Sequence, residues 1–218
     1  MADPTALSAW DHQRAFEHFN AALFEGRVPP CVLTLSKNKK YKGYFLHGTF
    51  LHRGAGRRLD EISLNPQTYE GLTTYLSTLV HEMVHALQQA IGSPGRRGFH
   101  NSEWSKMMVQ CGLQPLSLEQ GRQNGTGRRV THAIIEGGPF DLACQALLNT
   151  GFGFQVVHID PPPEDGSDPE SDEYLRKERK DAKRASKTRF FCPECLQNAW
   201  AQERQTGVRA VPRAAEAQ

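Results

Sequence analysis

The segment from Asn65 to Ile91 constrains this chain more than any other, because its two helical faces ask for different surroundings. At 3.6 residues per turn, Leu72, Leu76, Leu79, Val80, Met83 and Leu87 fall on one stripe, which needs apolar cover. His81 and His85 project to the other side, with Thr74 and Thr78. The ends are marked as well: Asn65 reads as a cap, Pro66 as the first helical position, and Gly92-Ser93-Pro94-Gly95 as a stop. A fold that holds this helix buries the aliphatic stripe and turns the histidines toward a cleft.

The rest of the chain supplies candidates for that cover. Residues 8 to 25 read as an amphipathic helix, with Ser8 and Asp11 resembling a capping box, Phe16, Phe19 and Leu23 on one face, and Gly26 at the end. Short segments rich in β-branched and aromatic residues follow at Val32 to Ser36, Tyr44 to Leu46, Thr49 to His52 and Leu59 to Leu64. A further helix is expected from Asn101 to Gly112, with His100 at its entrance. After a Gly- and Arg-rich loop at residues 121 to 129, a strand is expected at Thr131 to Ile135, a helix at Asp141 to Asn149 and a strand at Phe154 to Ile159.

The expected class is α+β: a small, mostly antiparallel sheet packed on helices, one of which carries the histidine pair in a zincin-like arrangement, plus a C-terminal extension. The expected organisation is a core over 1–118, an added α/β sub-domain over 119–160, an acidic Pro-rich linker over 161–173 and a basic stretch with a cysteine-bearing tail over 174–218.

His81-Glu82-Met83-Val84-His85 is where the chemistry concentrates. Two histidines four apart lie one turn apart on the same helix face, so both imidazoles can reach one Zn²⁺ at about 2 Å. Glu82 is displaced about 100° around the helix from His81, which suits a general base acting on water at the open metal position. A third protein ligand is required. The elongated metzincin pattern is absent, because Gln88 and Ile91 stand where its Gly and third His would be. Two candidates remain: His100, aimed back across the Gly92-to-Gly98 turn and favoured, and Glu103, which the helix dipole alone would explain. His47, His52, His132 and His158 fall in or beside expected strands and are assigned no role.

Bulk properties narrow the partners. The longest apolar runs fall far short of the roughly 18 residues that cross a bilayer, and Asp3 stands where a signal peptide carries cations, so a cytoplasmic protein without membrane contact is expected. Five cysteines, three of them isolated in apolar surroundings, argue against a disulfide framework and leave only Cys192 and Cys195 at a metal-binding spacing. A net charge of +2 is too small for a nucleic-acid argument over the whole chain. The local case rests on the basic Arg176-to-Arg189 stretch with Phe190, Phe191 and Trp200 beside it, groups suited to DNA phosphates and exposed bases. Glu178 and Asp181 interrupt that stretch, so a solvated helix face explains it equally well.

The sequence resembles the SprT-like zinc metallopeptidases, a family that includes the Spartan-type proteases acting on DNA-protein crosslinks. The resemblance covers the run from Phe19 to Pro30, the hairpin after it, Glu61-Ile62-Ser63-Leu64, the His81-to-His85 motif and His100-Asn101-Ser102-Glu103-Trp104. It implies that His81, His85 and His100 bind zinc, that Glu82 is the catalytic acid/base, and that the substrate is a protein, DNA-bound or DNA-crosslinked. Asn101 departs from the Gly that usually follows the third His. Many SprT-like proteins end in a zinc ribbon with two Cys-x-x-Cys pairs. Here Cys192-Pro193-Glu194-Cys195 looks like the first pair and no second pair follows, which fits a degenerate ribbon, one completed by another chain, or a truncated sequence. The competing function is a zinc-containing nucleic-acid-binding protein with a vestigial protease site. A deaminase is weaker still, since its His-x-Glu and Pro-Cys-x-x-Cys unit is absent.

Overall fold

The computed structural model describes residues 2–37, 40–68, 70–119 and 125–159, together with the strands Thr188–Phe191 and Asn198–Ala201. Met1–Ile159 form one compact unit and Asp160–Gln218 a second. The class is α+β, with four helices and three small sheets among the described residues.

Helix α1 (Pro4–Phe24) starts earlier than its apolar periodicity suggests, because Asp3 caps it: Oδ1 accepts from the backbone N–H of Thr5 and Ala6 at 2.8 and 3.2 Å. It ends where Glu25 and Gly26 turn left-handed, at φ 56° and 74°. Strands β1 (Cys31–Leu35), β2 (Gly43–His52) and β3 (Arg57–Leu64) form a sheet of order β1-β3-β2. Strand β2 pairs antiparallel with β3, as expected, but β1 runs parallel to β3, with Leu33 opposite Ile62. The two short segments expected before and after Gly48 are a single strand. A register shift separates Leu46 from Phe50, and Gly48 bridges it with φ +63°, its N–H bonded to Asp60 Oδ1 and its carbonyl to Arg58.

The motif helix is shorter than its start signals imply. Pro66–Thr68 is a 3₁₀ turn that Asn65 initiates by accepting from the Gln67 N–H, and helix α2 proper runs Leu72–Ile91 after Gly71, whose φ of 150° breaks the run. Helix α2 is enclosed almost all round. Leu76, Leu79, Val80 and Met83 join the core with Phe16, Phe19, Ile62 and Trp104, and the histidine side is covered too.

Helix α3 (Ser102–Gln110) begins as expected, with Asn101 Oδ1 accepting from Trp104 N–H at 2.9 Å. Strand β4 (Leu113–Ser117) pairs antiparallel with β5 (Val130–Ile134), and α4 (Pro139–Leu148) packs on α1, Phe140 stacking on Phe19 at 5.5 Å. Strand β5 and α4, from the segment after residue 118, are thus built into the same unit as the motif helix. The strand expected at Phe154 to Ile159 does not form. Gln155 gives its backbone N–H and its side-chain amide to the buried Asp11 carboxylate at 2.7 and 3.1 Å, which replaces a ladder partner.

In the second unit, β6 (Thr188–Phe191) and β7 (Asn198–Ala201) pair antiparallel. Cys192, Cys195, the acidic linker 161–173 and the basic stretch up to Lys187 lie outside the described residues. Among the described residues no helix is long and apolar enough to cross a membrane.

Candidate metal centre

Helix α2 places His81 and His85 one turn apart, and the entrance of α3 brings His100 to them. One ring nitrogen from each of the three lies within 4.8 Å of the other two. That separation suits three nitrogens converging on one ion at about 2 Å. His81 is 9% exposed, Glu82 5% and His100 9%, while His85 is partly exposed.

The loop between α2 and α3 is tied down by side chains that the sequence left ambiguous. Glu103, the alternative third ligand, accepts from Gln88 Nε2 at 2.6 Å and from Ser93 N–H at 2.7 Å, so its carboxylate braces the loop. Asn101, the departure from glycine, caps α3, accepts from Gln88 Nε2 at 2.8 Å and donates to Ser93 O at 2.9 Å. Gly92 permits this arrangement: a Cβ there would stand 2.7 Å from Glu103 Oε2.

His100 is anchored by the Gly- and Arg-rich loop. Its backbone exchanges two hydrogen bonds with Gly127 at 2.8 and 3.0 Å, and its Nδ1–H donates to the Gly127 carbonyl at 3.0 Å. Glu119 shapes that loop by accepting from the N–H groups of Arg128 and Arg129. Trp104, fully buried on α3, packs against all three imidazoles, with ring centroids 4.8, 5.0 and 4.3 Å from His81, His85 and His100. Phe45 from β2 stacks on His85 as well, at 6.4 Å.

The electrostatics favour neutral ligands. Burial pushes His81 well below its ordinary pKa, reinforced by the neighbouring His85, His132 and His100. Burial, then His100, brings His85 down to about 3, and burial lowers His100 against the opposing bond to Gly127. Neutral imidazoles are what a metal requires of them. With Nδ1 of His100 engaged by a carbonyl, its Nε2 is the nitrogen left for an ion. Burial raises Glu82 to about 8. A Cβ on Gly43 of β2 would stand 3.1 Å from Glu82 Oε1, so bare backbone of the sheet edge passes over the carboxyl group. The donor set, its burial and its protonation all fit a divalent metal with one coordination position left open.

One contact was not anticipated. His132, on β5, reaches His81, the two Nδ1 atoms lying 3.1 Å apart. The alternation of β5 carries a signal for it, since Val130, His132 and Ile134 share the inward face and both apolar neighbours pack on the core. Of the other three histidines expected in or beside strands, His47, His52 and His158, the first pairs with Asp60 at 2.8 Å and the second accepts from Ala55 N–H, and none joins the cluster.

Comparison with known proteins agrees with this geometry. The SprT-like family model matches residues 12–124, which include all three clustered histidines and Glu82. An uncharacterized protein in the mucB 3′ region of Salmonella typhimurium is 39% identical over 59 residues, or 27% of this chain and 80% of that protein. No solved structure matches the chain. With the family match spanning half of its length and including the histidine cluster, the chain belongs to the SprT-like family.

Proposed function

We propose that the protein is a zinc-dependent metalloendopeptidase of SprT-like type, with His81, His85 and His100 as zinc ligands and Glu82 as general base and acid. The observation that carries this is the convergence of three neutral imidazoles within 4.8 Å, next to a buried carboxyl one residue along the same helix. Zinc suits an all-imidazole donor set and leaves a fourth tetrahedral position for chemistry. When bound, the ion supplies Lewis acidity to the scissile carbonyl and acidifies the attacking water.

The remaining steps fall to the protein. Glu82 takes a proton as the water oxygen bonds to the carbonyl carbon, then delivers it to the leaving nitrogen as the C–N bond breaks. Burial suits the interval between these transfers, because it stabilises the protonated carboxyl until the amine claims the proton. Trp104 and Phe45 hold the imidazoles in place and keep bulk water from their faces.

The substrate class proposed is protein bound or crosslinked to DNA, with the chain acting in the cytoplasm at the nucleoid. Its support is the family membership and the basic stretch from Arg176 to Arg189. Metal analysis of purified protein is expected to find about one zinc at the histidine site, lost in His100→Ala. At equal zinc occupancy, Glu82→Gln is expected to cleave a protein crosslinked to single-stranded DNA about 10²- to 10⁴-fold more slowly than wild type. Equal rates would end the peptidase reading and favour a zinc-containing nucleic-acid-binding protein. Cleavage that ignores DNA would remove only the substrate assignment.

A further inference from the structure

His132 makes two hydrogen bonds that form the middle of a relay. Its Nδ1 lies 3.1 Å from His81 Nδ1, its Nε2 lies 2.9 Å from Ser77 Oγ, and Ser77 Oγ lies 2.8 Å from the Thr74 carbonyl oxygen. The polarity of this chain follows from its far end. A carbonyl only accepts, so the Ser77 hydroxyl donates to Thr74 and has lone pairs left for His132. His132 Nε2 therefore carries a hydrogen and donates. In a neutral imidazole the other nitrogen, Nδ1, is then a lone pair. His81 Nδ1 must bring the hydrogen between the two rings, which leaves His81 Nε2 unprotonated and free for a metal.

We propose that His132 is a positioning residue of the metal centre, which, through Ser77 and the Thr74 carbonyl, holds His81 in the tautomer and orientation that present Nε2 to the ion. The inference rests on the metal-centre reading above and adds to it a residue beyond the 12–124 segment matched by the family model. The relay gives His81 what the Gly127 carbonyl gives His100, an acceptor for Nδ1–H. An imidazole acceptor differs from a carbonyl in being removable by one substitution and in being a stronger base, so it raises the donor strength of His81 Nε2. It also ties β5 to the metal, because His132 shares its strand face with the core residues Val130 and Ile134.

The test measures metal affinity and tautomer state without reference to activity. Zinc affinity is read by chelator competition for wild type, His132→Phe, His132→Gln and Ser77→Ala, with His85→Ala as the control that destroys the site itself. His132→Phe is expected to weaken zinc binding by about 10- to 100-fold, the usual range for loss of a partner behind a ligand. His132→Gln, whose amide oxygen can accept from His81, is expected to recover most of that loss. Ser77→Ala removes only the end of the relay and is expected to move affinity the same way by a smaller factor. It also keeps the test usable if the phenylalanine variant fails to fold. Long-range ¹H–¹⁵N spectra of the metal-free protein are expected to find His81 in the Nδ1–H form in wild type and in a mixture of forms in Ser77→Ala and His132→Phe. Unchanged affinity and an unchanged His81 tautomer in both variants would overturn the proposal while leaving the metal centre intact. A visible spectrum of the cobalt-substituted protein with four imidazole donors would overturn it as well, by making His132 a ligand. Failure of wild type to bind zinc, or binding that survives His85→Ala, would overturn the underlying reading instead.

Discussion

Single residues set the proton balance of the metal-free protein, with opposite signs over overlapping pH ranges. His81, His85 and His100 are all lowered by burial, His85 to about 3, whereas in an unfolded chain each titrates at its ordinary 6.5. Their contribution to stability is complete above pH 6.5 and is lost as pH falls toward the folded values, because only the unfolded state then takes up protons. Glu82, raised to about 8 from 4.5, behaves in reverse: its contribution is complete below 4.5 and is lost as pH rises through 8. Denaturant unfolding of the metal-free protein from pH 4 to pH 9 is expected to give a maximum at about pH 6.5, where the histidine rise ends, with Glu82→Gln flattening the fall above it and steepening the rise below it. Zinc uptake near pH 7 follows from the same values. Little proton release is expected from the ligands, about one proton from Glu82 as the cation ionises it, and a correspondingly smaller release from Glu82→Gln. Calorimetry in buffers of different ionisation enthalpy measures that difference.

Elements explain which parts of this arrangement could be read in advance. The His81-to-His85 turn was legible because helical phase alone puts both rings on one side, and α3 was legible from Asn101 and the Trp104 and Met108 face. The beginning of α2 was not, because Asn65-Pro66 starts a 3₁₀ turn as well as it starts an α-helix, and only the backbone at Gly71 separates the two. Strand β4 was hidden by Pro115, which breaks the local signal yet sits opposite His132 in the ladder. Without β4, nothing in the sequence fixes the register of β5 or brings His132 to His81, a contact between residues 51 positions apart. Gly112 joins these elements. It follows α3 with φ +84°, accepts from Ile135 N–H, and a Cβ on it would meet Phe140 N at 2.8 Å. Gly112→Ala is expected to destabilise by at least roughly 1–3 kcal/mol from the backbone alone, measured by chemical unfolding, with zinc affinity falling as β5 shifts.

At the scale of the molecule, the unit Met1–Ile159 is closed by its last helix. Phe140 is fully buried against Phe19, and Ala143, Cys144, Leu147 and Phe152 extend the same core, while Asp11 on α1 holds Gln155. A fragment ending at Ile159 is expected to unfold cooperatively and bind zinc. One ending at residue 118 is expected to do neither, since it leaves β4 unpaired and the α1 face bare. Phe140→Ala tests the same point within the full chain, with an expected loss of about 3–5 kcal/mol.

The manner in which His100 is held has an evolutionary corollary. Its anchor is the main-chain carbonyl of Gly127, and neighbouring Arg128 and Arg129 contribute backbone groups to the loop, N–H to Glu119 and the Arg129 carbonyl to Leu118, while their side chains are exposed. No side-chain substitution deletes a carbonyl. That end of the centre therefore tolerates drift in the identity of its side chains, and a scan of all substitutions in this loop is expected to find intolerance concentrated at its glycines: Gly125, where φ is +63° and a Cβ would strike Pro115, and Gly127, where φ is +124° and a Cβ would strike Glu119. His81 has no such insurance, because its anchor is a side chain that one nucleotide change can erase.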